Sequence, residues 1–146
     1  EGGALTAEDV DAVVYRDADY KLWEMTNALG MNNKSRYLSV LSDLLSKGVD
    51  EMSVLNTLCA YYRTLYEIRI LHKTDAETAQ ILGMKEYAVK ANRRQSGGLK
   101  EEWVRECYFY LFGAINDVKN GVLSPEGALL KANAKLFFGA EGNNSR

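Results

Sequence analysis

The stretch EMSVLNTLCAYYRTLYEIRILH, residues 51–72, decides the fold. Leu55, Leu58, Tyr62 and Leu65 recur at steps of three and four, the spacing of one helical face. Val54, Tyr61 and Ile68 point to another side, and Cys59, Tyr66 and Ile70 fill the gaps between. A helix apolar around most of its girth is wrapped by other elements rather than laid on a surface. Residues 51–72 are therefore expected to form an almost wholly buried central helix. Arg63 and Arg69 ride on it, and a buried guanidinium needs a partner, either within the domain or across a subunit interface. With Tyr62 and Tyr66 beside them, in a composition found in interfaces and more often in cores, these four are the candidate interface residues.

The flanks carry start and stop signals. Upstream, Asn33 caps a helix over Lys34–Lys47 striped by Tyr37, Leu38, Leu41, Leu44 and Leu45, and Gly48 ends it. Before that, a helix from about Asp19 carries Leu22, Trp23, Met25, Ala28 and Leu29 and stops at Gly30. The charged stretch Arg16–Asp19 reads as a break from a first short helix that begins with a Thr6/Asp9 capping box. Asp50 caps the central helix, and His72–Lys73 places cationic character at its C-terminal end, where the helix dipole favours it.

Downstream, Thr74 to Glu77 is a capping box for a helix over Asp75–Leu82 ending at Gly83, followed by Lys85–Gln95 and the loop Ser96–Gly98. A long helix over Lys100–Lys119 then carries Val104, Cys107, Tyr108, Leu111, Ile115 and Val118, with Trp103, Phe109, Tyr110 and Phe112 widening its apolar face. Ser124–Pro125–Glu126 opens the last helix, which stops at Gly139. No segment alternates as a strand does. The fold class is all-α, a compact domain of about eight helices joined by short loops. Residues 1–16 read as the end of a preceding domain or a linker, 17–139 as one helical domain, and 140–146 as a frayed tail.

Composition narrows the function classes. The 146 residues hold 18 basic and 20 acidic side chains, a formal charge of −2 that neither demands nor excludes nucleic acid. Cys59 and Cys107 sit in apolar helical runs and read as buried small hydrophobes of a reducing compartment. Neither a signal peptide nor an apolar run long enough to cross a bilayer is visible, and the cytoplasm is the default. His72 has no nucleophile placed beside it, and acidic pairs such as Glu101–Glu102 fall at helix starts. The glycine pairs lack the Lys and Ser/Thr of a phosphate loop, and metal-ligand spacing is absent. No catalytic, cofactor or metal residue is expected.

The sharpest local pattern is Thr74–Arg94. Ala79, Gly83 and Val89 fall where a helix-turn-helix needs a small residue, a turn glycine and a packed apolar residue. As a DNA-binding unit it would offer Lys85, Lys90, Arg93 and Arg94 to phosphates and base edges. The same residues also suit two short helices that merely pack at a steep angle, and the acidity of the chain favours that reading. In the loop Lys119–Ser124, Val122 and Leu123 either staple the last helix or, with Lys119 beside them, face DNA or a neighbouring subunit. Lys119, Val122, Lys90, Arg93 and Arg94 are thus the candidate DNA-proximal residues.

The order of these features resembles one family. Leu58–Cys59–Ala60–Tyr61–Tyr62–Arg63–Thr64–Leu65 is similar to the central helix of the C-terminal domain of the bacterial DNA polymerase III delta subunit. The unit Ala79, Leu82–Gly83, Tyr87, Val89–Lys90 follows in order, then a long helix ending in the Lys-x-Gly step Lys119–Asn120–Gly121. Leu5 to Val10 is similar to the family's run at the end of its preceding domain. One departure is Ile115, where the family tends to place an acidic residue; Asp117 is nearby but out of phase. The resemblance covers nearly the whole chain.

It implies a non-catalytic collar, or oligomerisation, domain of a clamp loader, supporting loading of the sliding clamp in DNA replication. Residues 1–16 would end an AAA+ lid-type domain. Partners would be other clamp-loader subunits, of the delta-prime and gamma/tau type, joined in a pentamer. The sliding clamp would be gripped by N-terminal regions outside this chain, DNA met only indirectly or weakly, and no membrane or cofactor involved. The alternative is a helix-turn-helix DNA-binding domain of a regulatory protein, on Thr74–Arg94.

Overall fold

A computed structural model describes residues 7–139, with side chains from 17 to 137. The described residues form seven α-helices and one π-helical turn. They are α1 (Ala7–Gly30), α2 (Lys34–Ser46), α3 (Glu51–Leu71), α4 (Asp75–Leu82), α5 (Glu86–Gln95), α6 (Glu101–Lys119) and α7 (Pro125–Ala134), continued by the turn Lys135–Gly139.

The caps form as their residue types dictate. Asn33, Asp50, Thr74 and Ser124 each accept a backbone N–H from the first turn of the helix they start. Glu77 accepts the Thr74 backbone N–H in return, completing the capping box. Its carboxyl is held below the usual range, first by that backbone bond and then by the Thr74 hydroxyl. Lys85 and Lys100 precede α5 and α6 without a side-chain cap. His72 closes α3 with φ of 51°, a left-handed position that most residues other than glycine avoid.

One helix stands where two were expected. Residues 16–19 do not interrupt α1, because the stretch contains charge but neither glycine nor proline, and α1 runs on to Gly30. Asp17 instead pairs with Lys47, at 3.7 Å. The Thr6/Asp9 capping box lies outside the described residues. Along α1 and α2, Trp23 and Leu38 face outward, while Met25, Ala28, Tyr37, Val40, Leu41 and Leu44 are buried. Arg36 of α2 pairs with the buried carboxylate of Glu24 on α1, and Lys21 lies 3.5 Å from Asp43.

The main core is built around α3, packed chiefly on α6 and also against α1 and α7. Val54, Leu55, Leu58, Tyr62 and Leu65 meet Trp103, Val104, Cys107, Leu111 and Ile115 there, with Ala128, Leu129 and Ala132 closing the far side. The expectation of an almost wholly buried α3 is corrected. Asn56, Ala60, Arg63 and Ile70 lie exposed along one stripe, because no described element covers that side. Cys107 is buried as expected, whereas Cys59 is only half-buried. A smaller cluster, Ile68 with Ala79 and Val89, ties the α4–α5 pair to the end of α3.

The chain closes on itself through Tyr37. Its hydroxyl donates to Asn133 Oδ1 of α7 at 2.7 Å, and its ring meets Phe137 edge-on at 5.4 Å. No helix among the described residues is long and apolar enough to cross a membrane.

Candidate interaction surface

Position along α6 decides which side chains reach solvent. Trp103, Val104, Cys107, Leu111, Ala114 and Ile115 fill the buried seam. Phe109 and Phe112 fall out of phase with it, on the outer face, and are 56% and 51% exposed. They are not isolated. Tyr108 stacks on Phe109 at 5.2 Å and meets Phe112 edge-on at 6.3 Å. Tyr66 reaches over from α3 to lie 6.4 Å from both Tyr108 and Phe109. The four rings form one aromatic strip across the α3–α6 seam, open to solvent through the two phenylalanines.

On the α7 side, the strip gives way to a groove of about 290 Å³ lined by Gly113, Ala114 and Leu123. Exposed aromatic surface of this kind is what protein interfaces are enriched in, and clustered apolar exposure marks an interaction site more than scattered residues do. Chemically, the strip offers shape and apolar area, with the phenol groups of Tyr66 and Tyr108 as its polar atoms. Among the described residues no cluster of three potential metal ligands occurs.

The sequence-derived interface residues separate into different places. Tyr66 belongs to the strip. Arg63 is exposed on α3 and pairs with Glu67 one turn on, at 3.4 Å. Tyr62 is committed to the core, 2% exposed and edge-on to Tyr61. Arg69 is half-buried and donates to the backbone carbonyls of Ser96 and Leu99, which fixes the α5–α6 loop. Burial pulls its pKa down, opposed by Glu101.

The DNA-proximal candidates do not converge. Lys119 and Val122 stand at and just beyond the C-terminal end of α6, while Lys90, Arg93 and Arg94 sit on α5, which leads into its N-terminal end. A helix of 19 residues, about 28 Å long, separates the two groups. Arg93 is occupied: it pairs with Asp75 at 3.2 Å and donates to the Lys73 carbonyl at 2.8 Å and the Thr78 hydroxyl at 3.1 Å. That clamps α5 onto the start of α4. Lys90 pairs with Glu86 at 3.5 Å, and Arg94 is exposed. The Lys119–Ser124 loop divides its two apolar residues, with Leu123 packed against the core and Val122 67% exposed.

The residues that sequence reasoning missed as a surface are Phe109 and Phe112. Composition groups both with a widened apolar face, yet their phase against Val104, Cys107, Leu111 and Ile115 sets Phe109 opposite it and Phe112 on its flank.

Three comparisons with known proteins bear on this geometry. Residues 19–131 match the family described as DNA polymerase III delta subunit, C-terminal domain. The fold is similar to that of the Bacillus subtilis DNA clamp loader delta protein (YqeN), with a TM-score of 0.74 and 18% sequence identity. The match covers 91% of this chain and 40% of that protein's. No curated protein matches in sequence.

Proposed function

Because this chain belongs to the family formed by the C-terminal domains of DNA polymerase III delta subunits, we propose that it is a collar domain that joins its clamp-loader protein to neighbouring ones. The observation that carries this reading is the aromatic strip Tyr66–Tyr108–Phe109–Phe112, apolar area left uncovered by a chain that has a complete core of its own. Its partners are other subunits of the loader, of the delta-prime and gamma/tau type, and its contribution to clamp loading is to hold them together. Catalysis is not its role; the strip supplies contact area. The sliding clamp is engaged by parts of the protein outside this chain, DNA is met indirectly or weakly, and the setting is the cytoplasm. Residues 1–16 end a preceding lid-type domain and 17–139 form the collar unit, so that α1, which runs through residue 16 without a break, bridges the two.

The reading is tested by mixing this chain with the purified loader subunits and following co-migration by light scattering. A complex of defined mass supports it. Folded chain that forms no complex with any of them sinks it.

The helix-turn-helix alternative has less support. Arg93, which it needs on the DNA, is held by Asp75, Lys73 and Thr78. It still predicts duplex binding that weakens steeply with salt, and unchanged DNA affinity in a Lys90→Glu, Arg94→Glu variant removes it.

A further inference from the structure

The α4–α5 pair is fastened to the rest of the domain at few points. None of its residues joins the main core cluster. Its own apolar residues, Ala79 and Val89 with Leu82 and Met84 around them, close on a single side chain of α3, Ile68. Within the pair the bonds are denser. Arg93 of α5 pairs with Asp75 and donates to the Thr78 hydroxyl, both on α4, and to the Lys73 carbonyl just ahead of it. The Thr74–Glu77 capping box is internal to the pair as well. Among the described residues, the side-chain hydrogen bonds that reach the pair from α3 come from Arg69. Its guanidinium joins the Ser96 carbonyl and hydroxyl, at the end of α5, to the carbonyl of Leu99, whose side chain lies in the main core. The connections on either side are short: 72–74, which contains the left-handed His72, and 96–100, which contains two glycines free to take many backbone conformations.

We propose that α4–α5 is a hinged arm that swings off α3 as one body while the main core stays folded, and that Arg69 is the latch that holds it closed. Opening breaks the Arg69–Ser96 bonds and uncovers Ile68, Ala79 and Val89. It keeps the Arg93 contacts, which travel with the arm, and leaves the packing of α3 on α6 intact. Proteins open in such cooperative units, often a supersecondary motif, where few buried apolar contacts tie the unit to its surroundings. The arm needs no partner to move, so the inference stands apart from the collar reading.

Native-state amide hydrogen exchange, read by mass spectrometry on this chain at low urea, tests the arm and its latch with two variants. Ile115→Val touches the main core toward the far end of α6 and weakens only global unfolding. It should speed exchange of the core amides of α3 and α6 by about fivefold and leave the amides of 75–95 as they are in wild type. Arg69→Met keeps an unbranched stem and removes the donors. It should speed the amides of 75–95 by about tenfold or more, and the core amides with them, because the latch is lost in the open and the unfolded states alike. In wild type the amides of 75–95 should exchange ahead of those of 54–65 and 103–115. If Ile115→Val speeds the arm as much as the core, the pair opens only with the whole domain and the proposal is overturned. If Arg69→Met leaves exchange of 75–95 unchanged, Arg69 is no latch and the proposal is overturned as well.

Discussion

Tyr66 of α3 and Phe109 of α6 meet edge-on, 6.4 Å between ring centroids, at a place where their own domain leaves both rings partly open. Such a pair contributes about 0.5–1.5 kcal/mol beyond its buried area, but here the larger apolar area faces outward. The relationship separates two roles. The inward rings hold α3 to α6, and the outward ones are available to a partner.

Phe109→Ser with Phe112→Ser should therefore leave the core folded and cost only the ring contacts with Tyr66 and Tyr108, about 1–2 kcal/mol. The same variant should lose most of its affinity for the loader subunits. Thermal unfolding and calorimetric titration on one preparation check both halves.

Leu58→Ala should act in the opposite sense. Leu58 is fully buried at the centre of the core, so its truncation should cost about 2–5 kcal/mol, read by urea unfolding. Loss of partner binding should follow only at temperatures where the variant unfolds.

Stability should fall at alkaline pH. Burial pushes Cys107 and Tyr61 up to about 12, and raises Tyr37 and Tyr62 as well. An unfolded chain releases these protons near its ordinary values, about 8.5 for Cys and 10 for Tyr, while the native state still holds them. The unfolded form then binds fewer protons, so stability is fully present below about pH 8 and declines from there toward pH 12. Melting temperatures across a pH series from about 7 to 11 check the sign; a flat profile contradicts it.

The two thiols should respond differently to an aromatic disulfide reagent at mild pH. Half-buried Cys59, its thiol raised by burial and lowered by Arg63, should react slowly in the native protein. Buried Cys107 should react only when the domain unfolds. Mass spectrometry of the labelled peptides reads the order.

His72→Gly should stabilise α3. The left-handed φ of 51° at its C-cap costs a side-chain-bearing residue about 1 kcal/mol that glycine escapes. A raised melting temperature without change in partner binding is the expected result.

The helix boundaries are legible in the sequence because each rests on a local device: Asn33, Asp50, Thr74 and Ser124 as caps, and Gly83 and Gly121 in left-handed positions. Residues 16–19 mislead because charge alone resembles a loop in composition, whereas only glycine, proline or a competing cap stops a helix. The site is less legible. Which side of α3 stays open depends on where α6 and α1 pack, and those are non-local facts. Arg69 illustrates it: its partners are carbonyls 27 and 30 residues away, which no periodicity reveals. Phe109 and Phe112 are the exception, since helical phase alone sets them apart from the buried seam.

Oxidative footprinting of aromatic side chains tests the central claim most directly. The chain is labelled alone and after mixing with the loader subunits proposed as its partners, and modification at each ring is compared. Strong protection of Phe109, Phe112 and Tyr66 on assembly, with Tyr87 on α5 unchanged, is the predicted result. A complex that forms while Phe109 and Phe112 remain as reactive as in the free chain would contradict the account.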